Sequence, residues 1–340
     1  MTPPPSRQLI DVGLRPANGS RFQPTGFPDI GAATFQRFDP QRGDAGDWVD
    51  CLVLESPQSM ANRLEGTAWD DAVDDQIGSF AGLPYVRVVH ADDGEYLTSS
   101  RTEAHRLGSA FIKDAELDGN KMTMVIRDRL GLRDDRPVAP RSIARAVMAL
   151  DPFCLVHGVF FAEKAEIWPG QPRIVRALSA QIEAVDVKPA HLGGVKRDHV
   201  RHGISDTGGS AEGYGTIPYH RTEWAARTIL ASFNLDLAQI RSYGLGDDGT
   251  ALLLAIARWE IAALLAQPLR LRTACDLERD SGDLVDRTGK PLPTLESLDT
   301  EVRSGITACA DLLGGGEPIV VSWRATKRAK KGEPQPAETA

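Results

Sequence analysis

An α+β fold of ferredoxin-like type is predicted for this chain of 340 residues. The closing third, from Ser232 to Trp323, alternates strand-like and helix-like patterns in a β-α-β-α-β run. From Leu178 to Ala184, apolar and polar residues alternate with the period of a strand that has one wet face. The composition, 41% hydrophobic and 25% charged, is typical of a chain that folds around a core in water.

The individual elements follow from local patterns. Residues 84–89 and 153–156 are rich in β-branched and aromatic side chains, which favours strands. The longest apolar run, 251–266, contains Arg258 and Glu260 and so indicates a buried helix and not a membrane span. The closing run is predicted as strand Ser232–Ile240, helix Thr250–Ala266 capped by Asp247 or Asp248, strand Leu269–Cys275, helix Leu295–Leu313 and strand Pro318–Trp323.

The two ends of the chain have compositions that favour disorder. Residues 1–20 are rich in proline, arginine and glycine, and 326–340 form a basic, proline-containing tail. The beginning of the chain lacks the charged-then-apolar layout of a signal peptide, and the four cysteines contain no Cys-x-x-Cys pair. We expect a cytoplasmic protein with one domain over 21–325, no structural zinc and no cofactor.

Two short segments echo each other, one beginning at Ser56 and one at Ser99. Each reaches an Ala-(Asn/His)-Arg-Leu sequence a few residues later, at 61–64 and 104–107. Ser56 before Pro57, and Ser100 three residues before Glu103, both indicate helix starts. Asn62, Arg63, Ser100, Arg101, His105 and Arg106 are therefore candidate contacts to a polyanion. The alternative is that Arg63 and Arg106 are solvated or paired with Glu65 and Glu103.

A long stretch rich in glycine, 189–220, is predicted to be an irregular functional loop. Its basic and histidine side chains suit backbone and stacking contacts to a single strand of RNA. The candidates are Lys196, Arg197, His199, Arg201 and His202. A metal site of Asp198, His199 and His202 is a weaker reading, because the spacing does not match a helical histidine pair. The third interpretation is that this stretch is an ordinary solvated loop.

The net charge of -8 argues against a nucleic-acid partner, but the charges are segregated. Residues 66–95 contain seven acidic residues and one arginine, whereas 188–201 contain four basic residues and one acidic residue. Phosphate-binding, dinucleotide-binding and serine-hydrolase motifs are absent. An acidic total with a local basic zone suits a protein that touches nucleic acid along one groove.

Four segments together resemble a known family: 21–29, 55–65, 97–107 and 233–244. They are similar to the RAMP-type backbone subunit of type I-G CRISPR systems, formerly called I-U, and the likeness runs from about Arg21 to Trp323. The resemblance implies a modified ferredoxin-like (RRM-like) palm with large insertions. One insertion would be a thumb, which we place at 189–220.

The same resemblance implies a non-catalytic role in antiviral defence. Several copies would line up along CRISPR RNA, in a helical oligomer, and present the spacer for pairing with target DNA. Further partners would be the large subunit, the RNA-processing end subunit and the helicase-nuclease of the same system, with no membrane. Two alternatives remain open: a metal-dependent nuclease acting on RNA or single-stranded DNA, and a scaffold that binds only protein.

Overall fold

A computed structural model describes residues 4–27, 29–197 and 216–325. The strands are β1 Arg7–Pro16, β2 Gly26–Phe27, β3 Gly31–Ala32, β4 Thr34–Asp39, β5 Asp47–Glu55, β6 Trp69–Asp70, β7 Asp75–Gln76, β8 Val86–His90, β9 Tyr96–Ser99, β10 Glu116–Leu117, β11 Asn120–Lys121, β12 Val159–Phe160, β13 Arg173–Ile174, β14 Leu178–Arg197, β15 Thr216–Asp236, β16 Leu269–Arg272, β17 Cys275–Arg279 and β18 Ile319–Trp323. The α-helices are α1 Pro57–Gly66, α2 Ala110–Asp114, α3 Met122–Arg129, α4 Pro140–Met148, α5 Phe153–His157, α6 Leu237–Ser242, α7 Gly246–Leu265 and α8 Leu295–Ala308.

Two sheets organise these elements. The larger is antiparallel and has seven strands in the order β16-β17-β1-β15-β14-β5-β4. The smaller has five strands in the order β11-β10-β18-β8-β9, with β18 parallel to β8. Short two-stranded ladders, including β12 with β13, complete the sheet structure. The α+β class is confirmed.

One continuous core joins the two sheets through the helices. It includes Ile10 from β1, Leu64 from α1, Ile256 from α7 and Val88 from β8, all fully buried. Helix α1 begins as predicted, because the Ser56 hydroxyl accepts a hydrogen bond from the amide of Ser59 and Pro57 occupies the first turn. In the part of the chain that the structure describes, no helix is long and apolar enough to cross a bilayer.

Several local predictions are wrong. Residues 7–16 form β1, a strand inside the large sheet, and not a disordered end. Residues 153–156 lie in α5, because Pro152 precedes the run and the Asp151 carboxylate accepts the amide of Phe153 at 3.0 Å. An apolar run without polar interruptions does not distinguish a buried strand from a buried helix.

The region around Ser100 and the closing third also differ from expectation. No α-helix starts at Ser100, because its hydroxyl accepts the amide of Val86 and donates to Asp151. The strand at 232 ends at Asp236, which caps α6 by accepting the amide of Gln239. Strand β18 pairs with β8 in the smaller sheet, so the closing elements do not share one ferredoxin-like sheet.

Candidate nucleic-acid interface

The described parts of the stretch predicted as an irregular loop, 189–197 and 216–220, belong to two paired antiparallel strands. β14 and β15 pair continuously from Leu178–Leu235 to Arg197–Thr216. Beyond Val187 and Ala226 the two strands leave the sheet, and we call residues 188–197 with 216–225 the ribbon. Ten residues of strand correspond to about 33 Å. Lys196 and Arg197 lie at the end of β14, whereas Asp198, His199, Arg201 and His202 lie outside the described residues.

The base of the ribbon is held by segment 21–22. The backbones of Phe22 and Trp224 exchange two hydrogen bonds of 2.9 Å. Beside them the Glu223 side chain is 5% exposed and pairs with Arg21 at 3.1 Å and with Arg221. A buried carboxylate between two arginines fixes the direction in which the ribbon leaves the sheet.

Imidazoles lie on the described part of the ribbon. His191 and His220, on opposite strands, are exposed, and their rings stack with centroids 6.1 Å apart. His191 Nδ1 lies 3.3 Å from the Thr222 hydroxyl. The ribbon therefore presents flat, exposed rings of the kind on which bases stack.

At the other end of β14 lies a cavity of about 570 Å³, which we call the basic groove. Its cationic and histidine side chains are His105, Arg106, Lys113, His157, Arg173 and Arg176. Lys113 is paired with Glu163 at 3.2 Å. Arg173 and His105 are exposed, and Arg176 is half-buried. The charged residues that line the groove are therefore all cationic, in a chain whose net charge is -8.

The surroundings of the Arg176 guanidinium disfavour its positive charge. Burial, and then the charge of nearby Arg106, lower its pKa. Its Nε donates to the backbone carbonyl of His157 at 3.3 Å. No carboxylate among the described residues pairs with its guanidinium. A bound phosphate would supply the opposite charge that this position lacks.

An aromatic platform adjoins these charges. Phe160 of β12 is 43% exposed and pairs in register with Arg173 of β13, whose guanidinium carbon lies 4.6 Å from the ring centroid. Gly158, immediately before β12, has φ +81°, and a Cβ there would lie 2.8 Å from the carbonyl oxygen of Ile174. Glycine lets the two segments approach, so that an aromatic ring and an arginine plane face solvent together.

The groove rests on buried ion pairs. Arg106 and Glu65 meet in a bidentate contact of 2.6 and 2.5 Å, and Arg106 also donates to the carbonyl of Gly158 at 3.2 Å. Burial alone would lower the pKa of Arg106, but Glu65 more than offsets this and the pKa lies above its ordinary value. Arg106 thus supports the groove from below while its guanidinium is engaged inside the protein.

Arg101 and Ser100 are also buried. The Arg101 side chain is 2% exposed, with Nε 3.1 Å from Asp151 and the guanidinium carbon 3.4 Å from the Phe153 ring centroid. Ser100 is completely buried and donates to Asp151 at 2.5 Å. Ser100, Arg101 and Arg106, predicted as contacts to a polyanion, are buried, because their polar groups face carboxylates inside the protein.

Arg63 is engaged as well. It pairs with Glu55 at 2.9 Å and donates to the carbonyls of Arg270 and Leu271 at 3.1 and 2.7 Å. The alternative of ion pairing is therefore correct for Arg63 and Arg106. Of the two predicted partners, Glu65 is used, by Arg106, whereas Arg63 pairs with Glu55 and not with Glu65 or Glu103. Of the six candidate contacts in the two echoing segments only Asn62 and His105 are exposed, and His105 lies on the groove.

A buried His157–Glu260 pair lies beneath the groove. His157 Nε2 is 2.8 Å from one Glu260 oxygen and 3.0 Å from the other. Burial lowers the pKa of His157 to about 3 and raises that of Glu260 well above its ordinary value. Both shifts favour the uncharged forms, because burial penalises the charge on each side chain.

Within 4–27, 29–197 and 216–325, no group of three or more histidine, cysteine, aspartate or glutamate side chains is placed to hold a metal ion. The four cysteines are free and buried. Asp198, His199 and His202, the candidate metal ligands, are outside these ranges.

Sequence reasoning missed Lys113, Phe160, Arg173 and Arg176. The signal was present in the adjacent aromatics Phe160 and Phe161, followed by Pro169, Gly170 and Pro172, which indicate a hairpin with one exposed ring. That Arg173 stacks on Phe160 follows only from the pairing of β12 with β13.

Comparison with known proteins gives one family match. The model of the family described as CRISPR-associated protein GSU0053 matches residues 9–189, over half of the chain. No curated protein matches the sequence.

Two of the solved structures that are similar to the chain illustrate the likeness. The crystal structure of Thermofilum pendens Csc2 shares 11% identity, with 92% of this chain and 78% of that chain covered and a TM-score of 0.31. A CRISPR RNA-guided surveillance complex in a pre-nicking state shares 14% identity, with 81% and 73% covered and a TM-score of 0.37. With TM-scores this low, neither likeness establishes the fold or a function of this chain.

Proposed function

The chain belongs to the CRISPR-associated GSU0053 family, and from this premise we propose that it is a non-catalytic subunit that binds CRISPR RNA. The observation that carries the proposal is the basic groove, where Arg173 and Arg176 lie beside the exposed ring of Phe160. Arginines hold phosphates and an aromatic ring stacks on bases, so together they suit a single-stranded RNA.

The placement of the ribbon supports an arrangement of several copies. β14 begins two residues after Arg176 and ends at Arg197, about 60 Å farther along the strand. The groove and the end of the ribbon thus lie near opposite ends of one long strand. An RNA that contacts both would pass from the groove of one copy to the ribbon of another, in a head-to-tail oligomer.

In this proposal the large sheet is the modified ferredoxin-like palm and the ribbon with its connecting segment is the thumb. Lys196, Arg197, His199, Arg201 and His202 remain proposed RNA contacts, together with Asn62 and His105. Target DNA would bind by pairing with the presented spacer. The large subunit, the RNA-processing end subunit and the helicase-nuclease would complete the complex, in the cytoplasm.

The first test is size-exclusion chromatography with light scattering and absorbance at two wavelengths, with and without a repeat-spacer transcript. We expect RNA to shift the protein into a high-mass peak that contains nucleic acid. The variant Arg173→Ala/Arg176→Ala should lose this shift, whereas Arg15→Ala/Arg270→Ala, which removes two exposed arginines elsewhere, should keep it.

A second test addresses the thumb. Replacing Lys196, Arg197 and Arg201 together by alanine should reduce the slope of log affinity against log salt by up to about 2, since each phosphate contact to a single strand contributes about 0.7. An unchanged slope would remove this segment from the interface.

Two competing functions give different results in the same assays. A metal-dependent nuclease using Asp198, His199 and His202 would degrade the transcript in a manner that EDTA stops. A scaffold that binds only protein would assemble without the transcript and survive nuclease digestion and high salt.

A further inference from the structure

A second concentration of positive charge lies on α3 and α4, away from the groove. Residues 127–145 contain six arginines, three aspartates and no lysine or glutamate. Arg127 reaches Asp134, and Arg133 and Arg136 both reach Asp135. Half of the arginines in this segment thus have a carboxylate partner, with three arginines sharing two aspartates.

The other three are exposed and unpaired in the described part of the chain: Arg129, Arg141 and Arg145. We call them the arginine patch. Arg129 and Arg145 line one cavity of about 510 Å³ together with the hydroxyl-bearing Ser142. This cavity shares no lining residue with the basic groove.

The fold holds the patch in place. Ile143, Ala144, Val147 and Met148 bury the opposite face of α4 in the core, which fixes the positions of the exposed residues between them. Gly314, with φ +64°, lets its loop approach Ala149, since a Cβ there would lie 3.2 Å from the Ala149 side chain. The cavity wall is therefore built from packed elements.

Local stability accounts for these arginines only in part: Arg129 and Arg145 lie in the last turns of α3 and α4, where the helix dipole favours a cation, but the placement of Arg141 is unfavourable. Arg141 and Arg145 are four residues apart on one helix, where like charges repel. Arg141 also lies in the first turn of α4, where the helix dipole disfavours a cation. A chain with a net charge of -8 nonetheless leaves this patch without acidic partners.

We propose that the arginine patch is a second phosphate-binding surface, which takes the sugar-phosphate backbone of a nucleic acid independently of the basic groove. A guanidinium group can bind two phosphate oxygens at once through parallel N–H donors. Because a nucleic-acid strand carries a phosphate about every 3.4 Å along its axis, one backbone supplies anions for several arginines. Ser142 can donate a further hydrogen bond to the same backbone. The chemistry is common to RNA and DNA.

The test is fluorescence anisotropy of the full chain with two labelled probes of equal length, a single-stranded RNA and a duplex DNA, over a series of salt concentrations. The variant is Arg129→Ala/Arg141→Ala/Arg145→Ala. Alanine is the best helix former and removes the repulsion on α4, so the variant should fold, and circular dichroism checks this. The matched control, Arg37→Ala/Arg279→Ala/Arg303→Ala, removes three other exposed arginines.

We expect the patch variant to lower the salt slope by up to about 2.7 for the duplex or up to about 2 for the single strand, because each lost contact removes about 0.9 or 0.7. The probe that responds identifies the strand that the patch takes. An unchanged slope for both probes, or an equal loss in the control, would overturn the proposal.

The groove of the proposed function and the arginine patch can be tested separately. Arg173→Ala/Arg176→Ala tests the groove on the same RNA probe. A lower salt slope in the groove variant alone would support the groove and not the patch. A lower slope in the patch variant alone would support the patch and not the groove.

Discussion

Arg106 and Glu65 form a bidentate, almost fully buried ion pair, with the two nitrogens 2.6 and 2.5 Å from the two carboxylate oxygens. It joins α1 to the turn at 104–108 and, through the Gly158 carbonyl, to the floor of the basic groove. Arg63, the equivalent arginine of the first echoing segment, pairs with Glu55. The echo in the sequence therefore marks two internal ion pairs.

Removing Glu65 should destabilise the protein strongly. Glu65→Ala leaves the Arg106 guanidinium buried without its counter-charge, which costs about 3 to 5 kcal/mol of unfolding free energy. Urea denaturation followed by tryptophan fluorescence measures this. Glu166→Ala, at an exposed position, is the control. Adding Arg106→Ala to Glu65→Ala should recover part of the lost unfolding free energy. If the double variant loses as much unfolding free energy as the two single variants together, the pairing would be contradicted.

Phe160 and Arg173 should contribute to RNA binding in distinguishable ways. Phe160→Ala removes a stacking surface and should cost about 1 to 3 kcal/mol of RNA-binding free energy with no change in the salt slope. Arg173→Ala should lower that slope by about 0.7, because it removes one cation. Titrations at several salt concentrations separate the two effects, and Phe160→Tyr, which keeps the ring, should bind like the native chain. Equal slopes for Arg173→Ala and the native chain would place Arg173 outside the interface.

The base of the ribbon should loosen when Glu223 is replaced. Glu223→Ala leaves Arg21 and Arg221 without their shared carboxylate, so the ribbon loses a tie to segment 21–22. We expect faster trypsin cleavage within 188–225, measured by mass spectrometry, with little change in the unfolding midpoint of the core. Glu278→Ala, which removes an exposed partner of Arg15, is the comparison. A ribbon cleaved at the native rate would show that the backbone bridge at Phe22 and Trp224 is sufficient.

His157 should make the folded state sensitive to mild acid. Its pKa is about 3 in the folded protein and 6.5 when exposed, so the unfolded chain binds the proton first and stability falls as the pH drops below about 6.5. Between about pH 7.5 and about pH 5.5 the loss from this group is about 1.4 kcal/mol.

Urea denaturation of the native chain and His157→Gln at both pH values tests this, and the native chain should show the larger drop. Glu260 acts in the opposite direction, because its raised pKa costs stability as the pH rises above the ordinary 4.5. Glu260→Gln should therefore keep the acid sensitivity due to His157. Parallel pH profiles for the native chain and His157→Gln would contradict the buried neutral histidine.

Local signals were sufficient where one segment decides its own structure. Ser56 and Pro57 start α1, the apolar alternation at 178–184 produces β14, and the apolar run after Gly249 lies in α7. Local signals predicted the wrong structure where a residue distant in the sequence determines it. Residues 189–197 and 216–220 of the glycine-rich stretch lie in a ribbon because β14 pairs with β15. Ser100 does not cap a helix because its hydroxyl is bonded to Asp151 and Val86.

Residues close together in the chain were sufficient to predict the α+β class, the start of α1 at Ser56 and the motifs that resemble a CRISPR backbone subunit. Which arginines are available to a ligand depends instead on contacts between segments distant in sequence. Arg63, Arg101 and Arg106 turn inward because Glu55, Asp151 and Glu65 lie buried beside them, and a charge removed from water needs a counter-charge. Arg173 and Arg176 face the groove because β12 and β13 pair across a loop that brings no carboxylate to them.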